Sequence, residues 1–205
     1  METDQSIMMS RAAGEGQQQQ PHSHHCECSP AVIETYARVE EETVSRLMPD
    51  SLLYHIDQAH SCCSKLLTCR RCTQDTFCLA VVCTLGHRVI TLAKAYCRST
   101  STPDGALHTV RRRNPVFLDD YELKTSESTL LVTRLLLTRM QRFDEAVVTP
   151  TARCVEELFC EQHDPYAKKT LEACKRAVGE MVDGMGNVKT VLEGQLKEVK
   201  DSGME

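Results

Sequence analysis

DSLLYHIDQAHSCCSKLLTCRRCTQDTFCLAVVCTLGHRVITLAKAY, residues Asp50–Tyr96, decides the fold. Leu52, Leu53, Ile56, Ala59, Cys63, Leu66 and Leu67 recur at spacings that favour one face of an α-helix, predicting a helix to about Thr68, with Asp50-Ser51 as its cap. Phe77, Val81, Leu85, Val89, Leu92 and Tyr96 repeat the pattern from about Asp75 to Cys97 and predict a second helix with a core-facing stripe. CRRC, Cys69–Cys72, is short enough to be a tight connection between them.

Upstream, Val32, Ile33, Tyr36, Val39, Val44 and Leu47 predict a helix over 31–48, opened at Ser29-Pro30 and ended by Pro49. Downstream, residues 98–116, which fall almost wholly within CRSTSTPDGALHTVRRRNP (97–115), have turn formers and no apolar period, so a long flexible loop is expected. A helix over 126–148 follows, with Val132, Leu136, Met140, Phe143 and Val147 on one face. Leu130, Leu131, Leu135 and Leu137 widen that face, and Thr149-Pro150 is expected to stop the helix. After a short segment, 151–160, Leu171, Cys174, Val178, Met181, Met185, Val188, Leu192, Leu196 and Val199 form a near-heptad seam over 165–199. Gly179, Gly184, Gly186 and Gly194 each cost that helix roughly 1 kcal/mol against Ala, and a kink near Gly184–Gly186 is expected.

No alternating strand and no internal repeat stands out. The expected architecture is all-α: a single bundle of five to six helices over 30–200, with a disordered tail over 1–29, a flexible loop over 98–116 and a short tail over 201–205. GEGQQQQPHSHH within the first tail is too poor in aliphatic residues to offset its ordering entropy.

The chain has 205 residues, enough for one domain with a sizeable core. Twenty-four Lys and Arg face 29 Asp and Glu, a net charge of −5. Residues 1–143 carry 16 of each sign and residues 144–205 carry 8 basic against 13 acidic, so the excess lies in the last third. Such a balance speaks against general nucleic-acid binding, which draws on a basic surplus. Met1–Gln20 has no apolar run of signal-peptide type, and Thr, Arg and His interrupt the apolar stretches, so neither a secretory signal nor a membrane span is expected. Twelve cysteines in that setting are expected to stay thiols or to bind metal.

The cysteines concentrate at Cys62, Cys63, Cys69, Cys72 and Cys78. One CxxC supplies two ligands of the four that tetrahedral zinc takes, and no second such pair or His-x3–5-His completes it. Core packing of thiols as small hydrophobes is therefore the favoured reading, with no metal and no cofactor. A metal or redox set of Cys63, Cys69, Cys72 and Cys78 is the alternative. HSHHCEC, His22–Cys28, is a weak metal tract, and Arg111–Arg113 is the one basic cluster. Neither GxSxG, HExxH, a P-loop nor GxGxxG occurs, so the chain is not expected to be an enzyme and has no catalytic residues to name.

Three stretches together carry a resemblance: Asp50–Cys72, with a cysteine six residues ahead of the CxxC; Cys78–Tyr96; and VFLDDYELKTSESTLLVTRLLLTRMQRFDEAV, Val116–Val147. HHCECSPAVIETYARVEE, from His24, adds a cysteine-rich start. In this order they resemble the C-terminal regulatory region of fungal zinc-cluster transcription factors of the aflatoxin regulatory protein family, over about residues 24–200. The resemblance implies a nuclear regulator of a polyketide-type secondary-metabolite gene cluster, the cytoplasm being the alternative location. The chain departs from the family in lacking the N-terminal zinc-cluster DNA-binding domain, so no DNA-contacting residue carries over. A fragment of a longer zinc-cluster factor and a thiol-rich metal or redox protein are the alternatives.

The partner expected is a protein, either a transcription factor or a second copy of the chain. Val178, Met181, Met185, Val188 and Leu192 on the last helix are the candidate partner seam. Phe77, Val81, Leu85, Val89, Leu92, Leu136, Met140 and Phe143 are expected in the core.

Overall fold

A computed structural model describes residues 26–43, 47–101, 117–118, 121–122 and 125–202. The fold is all-α. Among the described residues six α-helices run in the order α1 (Cys28–Glu40), α2 (Pro49–Thr68), α3 (Thr76–Ser101), α4 (Thr125–Phe143), α5 (Thr149–Glu161) and α6 (Pro165–Ser202). A minimal antiparallel ladder pairs Phe117 with Glu122 and Leu118 with Tyr121 ahead of α4.

α1 starts at Cys28, two residues before Pro30, so Cys26–Ser29 belong to the ordered bundle rather than to a tail. It ends at Glu40, well short of 48. Glu40, Glu41 and Glu42 crowd the negative end of the helix dipole, which disfavours further turns. Arg88 on α3 reaches both Glu40, at 3.4 Å, and the Glu42 carbonyl, at 3.1 Å, and His55 on α2 meets the Glu42 carboxylate at 3.3 Å. α2 opens directly at Pro49, whose fixed φ suits the first turn; Met48 before it is extended, as a residue preceding proline prefers. Asp50 therefore lies in the first turn rather than at the cap.

α3 is the central helix, packed against α1, α2 and above all α6. Thr76–Thr100 has a mean hydropathy of 1.6 over its richest window and is long and apolar enough to cross a membrane, which the interrupting Thr84, His87 and Arg88 hid from a reading of unbroken runs. Just over half of that window, 56%, is buried inside the bundle. Asp75 caps it: its carboxylate accepts the Phe77 N–H at 2.8 Å. Residues 98–101 continue α3, and the rest of the expected loop, 102–116, lies outside the described residues, as do Arg111–Arg113 and His22–His25.

Pro150 does not stop the chain's helical course. After Phe143 the backbone widens into a π turn, Asp144–Val148, and Pro150 sits in the first turn of α5, where proline is best tolerated. The segment 151–160 is thus helical. Asp144 in the π turn is ion-paired to Lys189 of α6 at 2.5 Å.

The core holds Leu85, Val89, Leu92, Leu136, Met140 and Phe143 as expected. Phe77 is the exception. It stands 59% exposed, because steps of four residues drift about 40° around the helix each time and carry Phe77 off the Leu85–Val89 line; Leu79 and Val82 take the inner positions instead. Val81 is half-buried, and Leu135 lies on the outer side of α4 at 40% exposure. α6 is one helix, Pro165–Ser202, through all four glycines. Its seam of Val178, Met181, Met185, Val188 and Leu192 is buried within the chain's own bundle, mostly against α3, and so is not free to receive a partner.

Candidate functional site

The cysteines separate into distinct settings. Cys62, Cys63, Cys78, Cys83, Cys97 and Cys174 are buried in the core, Cys154 is partly buried and Cys160 is exposed. The remaining four, Cys26, Cys28, Cys69 and Cys72, converge: their sulfur atoms all lie within 4.8 Å of one another. Cys26 Sγ stands 3.0 Å from Cys28 Sγ, 3.4 Å from Cys69 Sγ and 3.5 Å from Cys72 Sγ. Disulfide bonding, with sulfurs about 2.05 Å apart, is not present at these distances.

Local structure explains how they meet. α2 ends as Cys69 turns extended, its N–H bonded to the Leu66 carbonyl at 3.0 Å. The chain then reverses through Arg70 and Arg71 into a short 3-10 turn, Cys72–Gln74. The Cys69 carbonyl accepts both the N–H of Thr73, at 3.1 Å, and its hydroxyl, at 3.2 Å, which fixes the loop. The other pair arrives with α1, which buries Val32, Thr35 and Val39 in the bundle, chiefly against α2 and α3, and so delivers its first turn to the end of α2. The Cys28 thiol points at the Lys65 carbonyl of α2, 3.9 Å away.

The four sulfurs are electrostatically unequal. The peptide N–H groups of Cys72 and Arg71 turn back on Cys69 Sγ, and with the Cys26 thiol they hold the Cys69 pKa down to about 6. Cys28 is pushed up to about 11, first by its hydrogen bond with Cys26 and then by burial. Cys72 is pushed up by burial and by the sulfurs around it.

Of the sequence-based metal candidates, Cys69 and Cys72 belong to this cluster and Cys63 and Cys78 do not. Cys63 is fully buried beside Cys62 and faces Cys83 of α3. Cys78 neighbours Cys72 but gives its thiol to the Asp75 carboxylate at 3.6 Å, inside the cap of α3. The missing partners are Cys26 and Cys28. Their Cys-x-Cys spacing just ahead of Pro30 was the available signal, obscured by the tail composition preceding it.

A second concavity lies toward the opposite end of α3, between it and α6, lined by Lys94, Cys97, Arg98, Asn187, Val188, Thr190 and Val191. Comparison with family models, curated proteins and solved structures finds no match to the chain.

Proposed function

We propose that the chain is a regulatory, protein-docking module of the fungal aflatoxin-regulator class, acting in the nucleus on transcription of a secondary-metabolite gene cluster. It works through a partner factor or a second copy and not by reading DNA itself, in keeping with its net charge of −5. One observation supports this reading above others. The two cysteine-bearing landmarks of the resemblance, the start at Cys26 and the CxxC at Cys69–Cys72, lie 43 residues apart in the chain yet meet at one corner of an all-α bundle. A shared corner gives the two landmarks a joint role, which core filling by itself does not call for.

With the α6 seam buried, this reading calls for a docking surface elsewhere on the bundle. The test is deletion of the gene, followed by transcript profiling of the neighbouring biosynthetic genes under producing conditions. Loss or gain of those transcripts together supports the reading. Unchanged transcripts across producing conditions overturn it.

A further inference from the structure

We propose that Cys26, Cys28, Cys69 and Cys72 bind one zinc ion as four thiolates and thereby fasten the start of α1 to the turn between α2 and α3. The inference stands apart from the regulatory reading, since it rests only on the sulfur geometry.

A tetrahedral zinc–thiolate centre with Zn–S bonds of about 2.3 Å has sulfur–sulfur edges of about 3.8 Å. The observed separations, from 3.0 Å to no more than 4.8 Å, bracket that edge, so a central ion is reached by small adjustments and without moving a helix. The donor set is chemically uniform. Four thiols and no carboxylate or imidazole favour zinc over calcium, magnesium or manganese, which take oxygen. A four-iron cluster interposes iron and sulfide between its thiolates and needs them spread more widely than this.

The second support comes from the loop itself. The Cys69 carbonyl accepts the Thr73 N–H at 3.1 Å and the Thr73 hydroxyl at 3.2 Å, which holds the Cys69–Cys72 turn in the shape that brings its two sulfurs to one side. The ligand spacings are compatible with one ion as well, because Cys-x-Cys and Cys-x2-Cys each supply two sulfurs from a single turn of chain, and closure comes from packing α1 on α2.

The binding step balances simply. Zn²⁺ forms four Zn–S bonds as the protons still held by the four thiols leave to solvent, giving a centre of net charge −2, with no oxidation of sulfur or metal. Arg70 and Arg71, inside the ligand loop, offset part of that charge. Cys78, held by Asp75, is a neighbour and not a ligand.

The test uses the full chain, purified under reducing conditions without added metal. Elemental analysis is expected to give one zinc per chain. Replacement by Co²⁺ is expected to give the intense thiolate charge-transfer band and the d–d bands of a tetrahedral four-sulfur site. The double variants Cys26→Ser with Cys28→Ser, and Cys69→Ser with Cys72→Ser, are each expected to lose at least about tenfold in zinc affinity. Cys63→Ser and Cys160→Ser keep it.

Should a double variant fail to fold, the wild-type chain still decides. Co²⁺ saturation at one equivalent, with these four cysteines and no others gaining protection from alkylation on loading, supports the site. Absence of tightly held metal, iron in place of zinc, zinc retained in both double variants, or a disulfide among the four in freshly isolated chain overturns it.

Discussion

Gly184 on α6 faces Ile90 on α3 so closely that a Cβ built on the glycine would stand 2.7 Å from Ile90 Cγ2. One turn away along the same contact, a Cβ on Gly86 would stand 2.6 Å from Met181 Sδ. The two long helices therefore meet through a glycine contributed by each, and the contact that centres the bundle depends on both.

Alanine substitutions divide by position. Gly184→Ala meets a stiff, β-branched side chain and is expected to lower stability by about 1–2 kcal/mol, the overpacking cost exceeding the helix-propensity gain. Gly86→Ala costs less, because a methionine chain yields more readily. Gly179→Ala, Gly186→Ala and Gly194→Ala have open space and are each expected to stabilise by about 0.5–1 kcal/mol. Denaturant midpoints of the five variants check the order; a stabilising Gly184→Ala would remove the close contact from the description.

Two phenylalanines separate core from surface. Phe143→Ala removes a fully buried ring and is expected to cost about 3–5 kcal/mol. Phe77→Ser, on the exposed start of α3, is expected to change stability by less than about 1 kcal/mol. Chemical denaturation reads both. A loss at Phe77 matching that at Phe143 would mean that this ring is covered.

Alkaline stability carries a cysteine signature. Burial pushes the Cys97 thiol from 9.0 up to about 11, so the unfolded chain releases this proton at lower pH than the folded one. The unfolded state then binds fewer protons between those values, and stability falls as pH rises through that window. Cys97→Ala is expected to flatten the decline by on the order of 2 kcal/mol near pH 11. Unfolding midpoints measured from pH 8 to pH 11 give the slope; identical slopes in variant and wild type would contradict it.

Much of the bundle was legible because burial leaves a period in the sequence. The stripes from Leu52 to Leu66 and from Leu85 to Leu92, and the seam from Leu171 to Leu192, are core faces in the structure. What periodicity missed were events decided by local backbone chemistry. The glutamates ended α1 early, and a π turn carried the helical course past Pro150. A seam of partner type and a seam of core type have the same spacing, so only the docking of α6 on α3 distinguished them.

The sulfur cluster was half legible. Cys69 and Cys72 announce themselves by spacing within a single turn, whereas Cys26 and Cys28 join them only through tertiary packing of α1 on α2. Cys63 and Cys78 are nearer in sequence and were the natural completions, yet helical geometry aims one into the core and the other into a cap. Sequence proximity is a poor guide to coordination when ligands are recruited across helices.

X-ray absorption at the zinc edge of the full chain, isolated under reducing conditions, tests the four-sulfur centre most directly. The expected result is a single shell of four sulfur scatterers at about 2.3 Å. A shell dominated by nitrogen or oxygen, or one with two sulfurs, would contradict the joining of Cys26 and Cys28 to Cys69 and Cys72.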